Sequence, residues 1–259
     1  MPEISSTLPK YNLRMPVPGS ACDTQALDCF IVALDLPTAA EARDLAQQLR
    51  GTCKWVKIGL ELYLAAGNAV VEELAELGFS IFLDLKFHDI PNTVAAAIRS
   101  AARSRASLLT LHAAGGPAML AAAAEAARTT NNPLQLLAVT VLTSMDSAQL
   151  AATGVHTTPA DQVLQLARMA KAAGIPGLVC SAEEIRMLRQ QLGPDVRLVV
   201  PGIRPAGAEI GDQKRVATPA SAIRAGADML VVGRPITQAS NPKAAAKTIL
   251  AEIAEAIAD

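Results

Sequence analysis

The sequence predicts one α/β domain folded as a closed (β/α)8 barrel, a TIM barrel, and three observations support this fold. A short strand-like run alternates eight times with an amphipathic, alanine-rich segment, which is typical of parallel strands joined by helices. The length of 259 residues suits eight such units in one domain, which usually needs about 250 residues. The first strand-like run is followed by no G-x-G-x-x-G motif, the usual sign of an open doubly wound sheet, which is the alternative fold.

The eight predicted strands are runs rich in leucine and β-branched residues, each bounded by turn residues. In chain order they are Asp28–Asp35, Trp55–Leu60, Ser80–Lys86, Ser107–His112, Leu134–Thr143, Gly177–Cys180, Val196–Pro201 and Met229–Gly233. Each is followed by a segment whose apolar residues recur at helical spacing. In the same order the predicted helices are Thr38–Leu49, Leu64–Leu77, Thr93–Ser104, Ala118–Arg128, Ala160–Ala173, Ala182–Leu192, Pro219–Ala225 and Lys243–Ala258.

The first 25 residues differ from the rest of the chain in composition. They carry scattered proline, serine and charged residues, with no apolar stretch of the kind found in a signal peptide or a membrane span. We therefore predict a flexible N-terminal extension over residues 1–25 and a catalytic barrel over residues 26–259.

The amino-acid composition indicates which classes of molecule the protein can bind. With 23 basic and 24 acidic residues the net charge is -1, so no basic excess is available for a nucleic-acid backbone or a membrane surface. Aromatic residues make up 3% of the chain, too few for a base-stacking surface. The four cysteines lack C-x-x-C spacing and are predicted to be free thiols in a cytoplasmic protein. A small-molecule substrate is the expected partner.

The most informative segment is residues 84–93, D-L-K-F-H-D-I-P-N-T, which begins where the third predicted strand leaves the core. Strand alternation places Phe82, Asp84 and Lys86 on one face, so two opposite charges lie side by side. Buried charges are tolerated when they pair or face a polar ligand. A structural ion pair would explain Asp84 and Lys86 alone, but the third charge at Asp89 favours a functional site.

Other predicted strands also end in polar residues. In a barrel of this type the chemistry lies at the carboxyl ends of the strands. The residues found there are Asp35, Lys57, His112, Thr143 and Ser144. His112 has no carboxylate near it in the sequence and is predicted to be a hydrogen-bonded support, while His88 is predicted to orient the loop after the third strand.

The loops after the seventh and eighth predicted strands resemble a phosphate site. They read Pro-Gly-Ile-Arg over residues 201–204 and Gly-Arg-Pro over residues 233–235. Glycine lets the backbone approach an anion, and Arg204 and Arg234 would add charged donors. The alternative is that Gly202 and Gly233 only turn the chain and that the arginines are solvated.

Residues 84–93 resemble the signature of the orotidine 5'-monophosphate decarboxylase family in its bacterial form. The resemblance extends from about Asp28 onward. Its supporting motifs are Ala33-Leu34-Asp35, Val56-Lys57-Ile58-Gly59, Leu111-His112-Ala113, Val139 to Ser144, Pro201 to Arg204 with Gln213 nine residues later, and Val232-Gly233-Arg234-Pro235. The N-terminal extension departs from the family pattern.

The resemblance implies decarboxylation of orotidine 5'-monophosphate to uridine 5'-monophosphate in pyrimidine biosynthesis, without a metal or an organic cofactor. It implies that Lys86 protonates C6 of the pyrimidine and that Asp84 lies next to the departing carboxylate. It also implies that Asp35 and Lys57 contact the ribose and that Lys57, Asp84, Lys86 and Asp89 form a chain of charges.

The resemblance also implies a homodimer with shared active sites. Asp89, Ile90 and Thr93 would serve the site of the neighbouring subunit, while Thr143, Arg204, Gln213, Gly233 and Arg234 would bind the substrate. Two alternatives stay open. One is a metal-dependent sugar-phosphate decarboxylase or aldolase on the same barrel, and the other is a non-catalytic nucleotide-binding barrel.

Overall fold

The computed structural model describes residues 21–132, 134–205 and 217–259, with the backbone alone for residues 21–23. Its parallel strands close into a barrel in chain order, and the eighth strand pairs with the first. The strands are β1 (Phe30–Ala33), β2 (Trp55–Ile58), β3 (Ser80–Phe87), β4 (Ala106–His112), β5 (Gln135–Val139), β6 (Gly177–Val179), β7 (Arg197–Val200) and β8 (Met229–Val232). The predicted (β/α)8 barrel is therefore confirmed.

Most of the helices cover the outside of the barrel. They are α1 (Ala21–Cys29), α2 (Ala39–Leu49), α3 (Leu60–Glu76), α4 (Pro91–Ala101), α5 (Gly116–Arg128), α6 (Ser147–Ala152), α7 (Pro159–Ala172), α8 (Ile185–Leu192), α9 (Pro219–Ala225), α10 (Arg234–Thr237) and α11 (Pro242–Ala258). Several begin at a side chain that accepts a backbone N–H of the first turn, which fixes the start of the helix. These residues are Thr38, Thr158, Thr218 and Asn241.

Strand alternation divides the apolar residues into two buried sets. One set fills the barrel interior and includes Ile31, Phe82, Leu108, Leu137 and Val199. The other set packs the outside of the strands against the helices. Polar residues that follow the interior parity therefore emerge at the carboxyl ends of the strands, above this apolar filling.

Most predicted strands were longer than the observed ones, and the first and the fifth differ most. The first was expected to begin at Asp28, but α1 continues to Cys29, and the ladder between β1 and β8 begins only at Phe30. The fifth was expected to reach Thr143, but β5 ends at Val139, where its partner β6 also ends. The backbone N–H and the hydroxyl of the next residue, Thr140, both donate to the carbonyl of Val179, the last residue of β6.

The predicted boundary between residues 25 and 26 falls inside α1, whose residue Ala26 is fully buried. Residues 1–20 lie outside the described residues, so the flexible extension stays a prediction. The described part of the chain contains no helix with the length and apolar character needed to span a membrane.

Candidate active site

A cavity of about 590 Å³ opens at the carboxyl ends of the strands. Apolar side chains such as Phe82 and Val231 form its floor, and polar side chains from the strand ends form its walls. The predicted site residues that line it are Asp35, Lys57, Asp84, Lys86, Thr143, Arg204, Gly233 and Arg234. The structure thus brings together residues that lie up to about 200 positions apart in the sequence, as the barrel predicts.

Four of these side chains form a continuous line of alternating charge. Lys57 Nζ lies 2.8 Å from Asp35 Oδ1 and 3.4 Å from Asp84 Oδ2. Lys86 Nζ lies 2.8 Å from Asp84 Oδ1. The two middle side chains, Lys57 and Asp84, are 10% and 13% exposed, while Lys86 is 31% and Asp35 is 56% exposed. The ends of the line therefore face the cavity and its centre is withdrawn from solvent.

The two central groups stay charged because they are paired. Burial favours the neutral form of Lys57, but the carboxylates of Asp84 and Asp35 more than offset it and raise its pKa. Burial also favours the neutral form of Asp84, but Lys57 and Lys86 outweigh it and hold the pKa of Asp84 below its ordinary value. A hydrogen bond from Thr110 adds to this lowering of the pKa. Asp84 is therefore an anion held between two cations at neutral pH.

Lys86 occupies an irregular point of β3. The pairing of β3 with β4 shifts register once between Ile81 and Phe82. It breaks again after Leu83, which lies opposite Leu109, and resumes only at Phe87 opposite Leu111. Lys86 has φ of 51°, and it is the one non-glycine residue with positive φ in the described parts of the chain. This region of φ strains any residue with a Cβ atom. Such strain at a cavity wall is typical of functional sites.

Sequence reasoning missed two residues that support the line of charges. Thr110 lies on β4, fully buried, and hydrogen-bonds to both Asp84 and the backbone of Lys86. Gly59 is the N-cap residue before α3, and a Cβ atom there would lie 2.9 Å from Asp35 Oδ1 and 3.1 Å from Lys57 Nζ. The glycine in Lys57-Ile58-Gly59 could have signalled this close backbone approach, whereas Thr110 within an apolar run resembles an ordinary strand residue.

The two predicted phosphate loops lie next to each other above β7 and β8. Gly202 has φ of 78°, which favours glycine, and Arg204 is buried against the carbonyl of Ile203. Arg204 N also donates to the carbonyl of Ala217. The described residues on either side of the segment 206–216 therefore meet next to Arg204, which lines the cavity. Gln213 belongs to that segment and lies outside the described residues.

Three predicted residues lie apart from this cavity. Asp89, Ile90 and Thr93 are exposed, and none of them lines the cavity of its own chain. Asp89 accepts a hydrogen bond from the backbone of Ile90, which is 67% exposed. The geometry of one chain leaves these side chains available to a molecule outside it.

The two histidines near β3 and β4 lie beside the cavity rather than in it. The rings of His88 and His112 are tilted at 43° with centroids 5.4 Å apart. Burial, followed by the charges of His88 and Lys86, lowers the pKa of His112. The supporting role of both histidines stays a prediction. Among the described residues, no cluster of three or more His, Cys, Asp or Glu side chains has the geometry of a metal site.

Comparison with known proteins places the chain among close relatives. The model of the Orotidine 5'-phosphate decarboxylase / HUMPS family matches residues 28–249. A protein of Idiomarina loihiensis named orotidine 5'-phosphate decarboxylase is 50% identical over 230 residues, covering 89% of this chain and 100% of that protein. A protein of the same name from Opitutus terrae is 51% identical over 233 residues, covering 90% of this chain and 99% of that protein.

The crystal structure of orotidine 5'-phosphate decarboxylase from Lactobacillus acidophilus superposes with a TM-score of 0.77 at 39% identity. The match covers 86% of this chain and 98% of that chain. The family description contains two names, orotidine 5'-phosphate decarboxylase and HUMPS, and these three relatives all carry the first.

Proposed function

The chain belongs to the Orotidine 5'-phosphate decarboxylase / HUMPS family and is a carboxy-lyase of pyrimidine biosynthesis, and we propose that Lys86 and Asp84 carry out its reaction. The reaction converts orotidine 5'-monophosphate to uridine 5'-monophosphate and carbon dioxide. The observation that carries the proposal is the 2.8 Å contact between Lys86 and Asp84 at the wall of the cavity.

The reaction demands a cation next to C6 of the pyrimidine. The bond from C6 to the carboxylate breaks, its electron pair stays on C6, and carbon dioxide leaves. The ring offers no conventional electron sink for this pair, so the site must stabilise localised negative charge. The Lys86 ammonium supplies the positive charge that stabilises C6 and then transfers a proton to C6. The neutral amine afterwards takes up a proton from water.

Asp84 orients Lys86. Its Oδ1 holds the Lys86 ammonium, while Lys57 lies 3.4 Å from its Oδ2, so the carboxylate is fixed from both sides. Because these charges are in place before the substrate arrives, little reorganisation is needed when charge develops at C6. The substrate carboxylate next to Asp84 would also be repelled, which favours its departure as neutral carbon dioxide.

The remaining cavity residues suit the rest of the nucleotide. Asp35 has its carboxylate at the open end of the line of charges, where a ribose hydroxyl could donate to it. Thr143 forms part of the wall beyond β5. Gly233 and Arg234 lie beside Arg204 and offer backbone N–H groups and charged donors to a phosphate. We propose that Gln213 joins them.

The activity is tested by following the loss of orotidine 5'-monophosphate with purified protein. We expect one uridine 5'-monophosphate and one carbon dioxide per substrate, at the same rate with and without EDTA. Turnover lost in EDTA and regained when magnesium is added would favour the metal-dependent alternative. Tight binding of the nucleotide with no product would favour the non-catalytic alternative.

Arg234→Ala is expected to lower kcat/KM for orotidine 5'-monophosphate by about 10- to 150-fold, since a hydrogen bond to a charged group is worth roughly 1.5–3 kcal/mol. Activity on the nucleoside orotidine should change little, because that substrate has no phosphate. Both values come from the same absorbance assay. Arg128→Ala is the matched control, because Arg128 pairs with Glu125 on the surface of α5. Equal losses on both substrates would mean that Arg234 supports the fold or the pyrimidine end.

We also propose a homodimer with shared active sites, in the cytoplasm. The proposal draws on Asp89, Ile90 and Thr93, which lie exposed on or near the catalytic rim. Ile90 is 67% exposed at this rim, where a partner chain would cover it. Cys29 and Cys53 form no disulfide, which fits a reducing compartment.

A further inference from the structure

Thr110 closes a ring of hydrogen bonds around Lys86. The Lys86 backbone N–H donates to Thr110 Oγ1 at 2.9 Å. Thr110 Oγ1 donates to Asp84 Oδ1 at 2.9 Å, and Asp84 Oδ1 also accepts from Lys86 Nζ at 2.8 Å. A hydroxyl has one proton to donate, so the donation to Asp84 leaves its lone pairs for the Lys86 amide. Both ends of Lys86, the backbone and the ammonium, are thus fixed through one carboxylate oxygen.

The position of Thr110 in the sheet explains why this ring is needed. On β4, Thr110 is the single residue between Leu109 and Leu111, whereas β3 has three residues between their partners Leu83 and Phe87. The regular ladder therefore fails opposite Thr110, and the side-chain hydroxyl accepts the Lys86 N–H that would otherwise lack a strand partner. The hydroxyl also stabilises the left-handed backbone of Lys86.

Strand parity keeps Thr110 below the cavity. Leu108, two residues earlier, belongs to the apolar filling of the barrel interior, and Thr110 follows the same parity. Thr110 is fully buried and does not line the cavity. It therefore acts on the reaction through Asp84 and Lys86 and not through contact with the substrate.

We propose that Thr110 is a positioning residue that sets the direction of the Lys86 ammonium and fixes the Asp84 carboxylate beneath it. The proposal rests on the function proposed above. Without the hydroxyl, the Lys86 amide loses its acceptor and Asp84 Oδ1 loses one of its two donors, so Lys86 can leave the geometry that the reaction requires. Binding of the phosphate and ribose should be unaffected, because those groups contact other parts of the cavity.

The test compares Thr110→Val, which keeps the shape, with Thr110→Ser, which keeps the hydroxyl. For Thr110→Val we expect kcat to fall about 5- to 150-fold, the range for a buried partner left unsatisfied. The Kd of uridine 5'-monophosphate should change less than about threefold, since its phosphate and ribose contacts remain. Thr110→Ser should keep kcat within about fivefold of the wild type, because the ring of hydrogen bonds persists.

Thr140→Val is the matched control. Thr140 is also buried, and its hydroxyl donates at 3.1 Å to the carbonyl of Val179, away from the line of charges. It should lose stability in urea unfolding as Thr110→Val does, with kcat within about threefold of the wild type. If Thr110→Val does not fold, the smaller Thr110→Ala takes its place in the comparison with Thr110→Ser.

Three results would overturn the positioning role. They are a fall in kcat of less than about fivefold for Thr110→Val, an equal fall for the valine and serine variants, and a loss of uridine 5'-monophosphate binding as large as the loss of kcat. Each would assign Thr110 to packing alone. A wild-type protein without turnover would instead contradict the proposed function, so the two failures are distinguishable.

Discussion

Lys86→Ala is expected to lower kcat for orotidine 5'-monophosphate by about 10⁴-fold or more. The change removes charge stabilisation and proton delivery together, and each is typically worth at least about 10²-fold. The Kd of uridine 5'-monophosphate, measured by titration, should show that the cavity is still formed. Lys54→Ala is the matched control, because Lys54 pairs with Asp28 on the surface near the start of β2.

Alanine is an informative replacement at this position. Lysine and alanine both carry a Cβ atom, so the strain of the left-handed backbone at φ 51° is the same in both. The Thr110 hydroxyl can still accept the backbone N–H of residue 86, and Asp84 keeps Lys57 as its partner. The variant therefore isolates the loss of the ammonium group. A turnover above about a tenth of the wild type would remove Lys86 from the role of proton donor, since positioned acid catalysis alone exceeds that.

The fold could be predicted because its signal repeats. Eight alternations of apolar strand and amphipathic helix leave few other architectures. The ends of elements carry a weaker signal, because pairing stops where the neighbouring strand stops. The fifth run continues as Val139-Thr140-Val141, which resembles strand to its end, yet β5 ends with β6 at Val139 and Val179. The sequence of the fifth run contains no information about where β6 ends.

Short helices were missed for a different reason. The segment Ser147–Ala152 forms α6, which is capped by Asp146. The Asp146 side chain accepts the backbone N–H of Gln149, and the Gln149 side chain accepts the backbone N–H of Asp146. This capping box can be read in the sequence as Asp-x-x-Gln. A helix of one or two turns, however, offers too few apolar residues for a helical period to stand out.

The line of charges could be predicted because it follows strand parity. Asp84 and Lys86 were placed on the interior face of β3 from alternation alone, and both line the cavity. The break in β3 pairing at Lys86 could not be predicted, since it depends on the register of β4. Thr110 was missed for the same reason. A threonine among leucines indicates a strand. That its hydroxyl contacts two charged residues is seen only in the three-dimensional structure.

The role of Asp89 can be predicted from the sequence motif but cannot be seen in one chain, because it depends on a second molecule. The motif places Asp89 five residues after Asp84, beyond the point where a β3 side chain can enter its own barrel. In one chain Asp89 is exposed and accepts only a local hydrogen bond from Ile90 among the contacts described. We propose that a two-fold partner brings the rim of one barrel over the cavity of the other and so places Asp89 near the partner's Lys86.

Mixing two nearly inactive variants, Lys86→Ala and Asp89→Ala, is expected to restore activity. In a mixed dimer, one site contains Lys86 of one chain and Asp89 of the other, so it is intact, while the second site lacks both. Random exchange gives about half mixed dimers with one intact site of two, so activity should approach roughly a quarter of the wild type. The measurement is turnover of orotidine 5'-monophosphate after subunit exchange, verified by native mass spectrometry of differently tagged chains.

Mixing Lys86→Ala with Asp84→Ala is the matched control. Asp84 and Lys86 lie 2.8 Å apart in one chain, so every site of this mixed dimer lacks one of them and activity should not return. Recovery in the first mixture alone therefore requires that Asp89 acts across the interface, since restored folding or stability would raise both mixtures. If exchange is complete and the first mixture stays as inactive as its parents, Asp89 serves its own chain and the shared site is wrong.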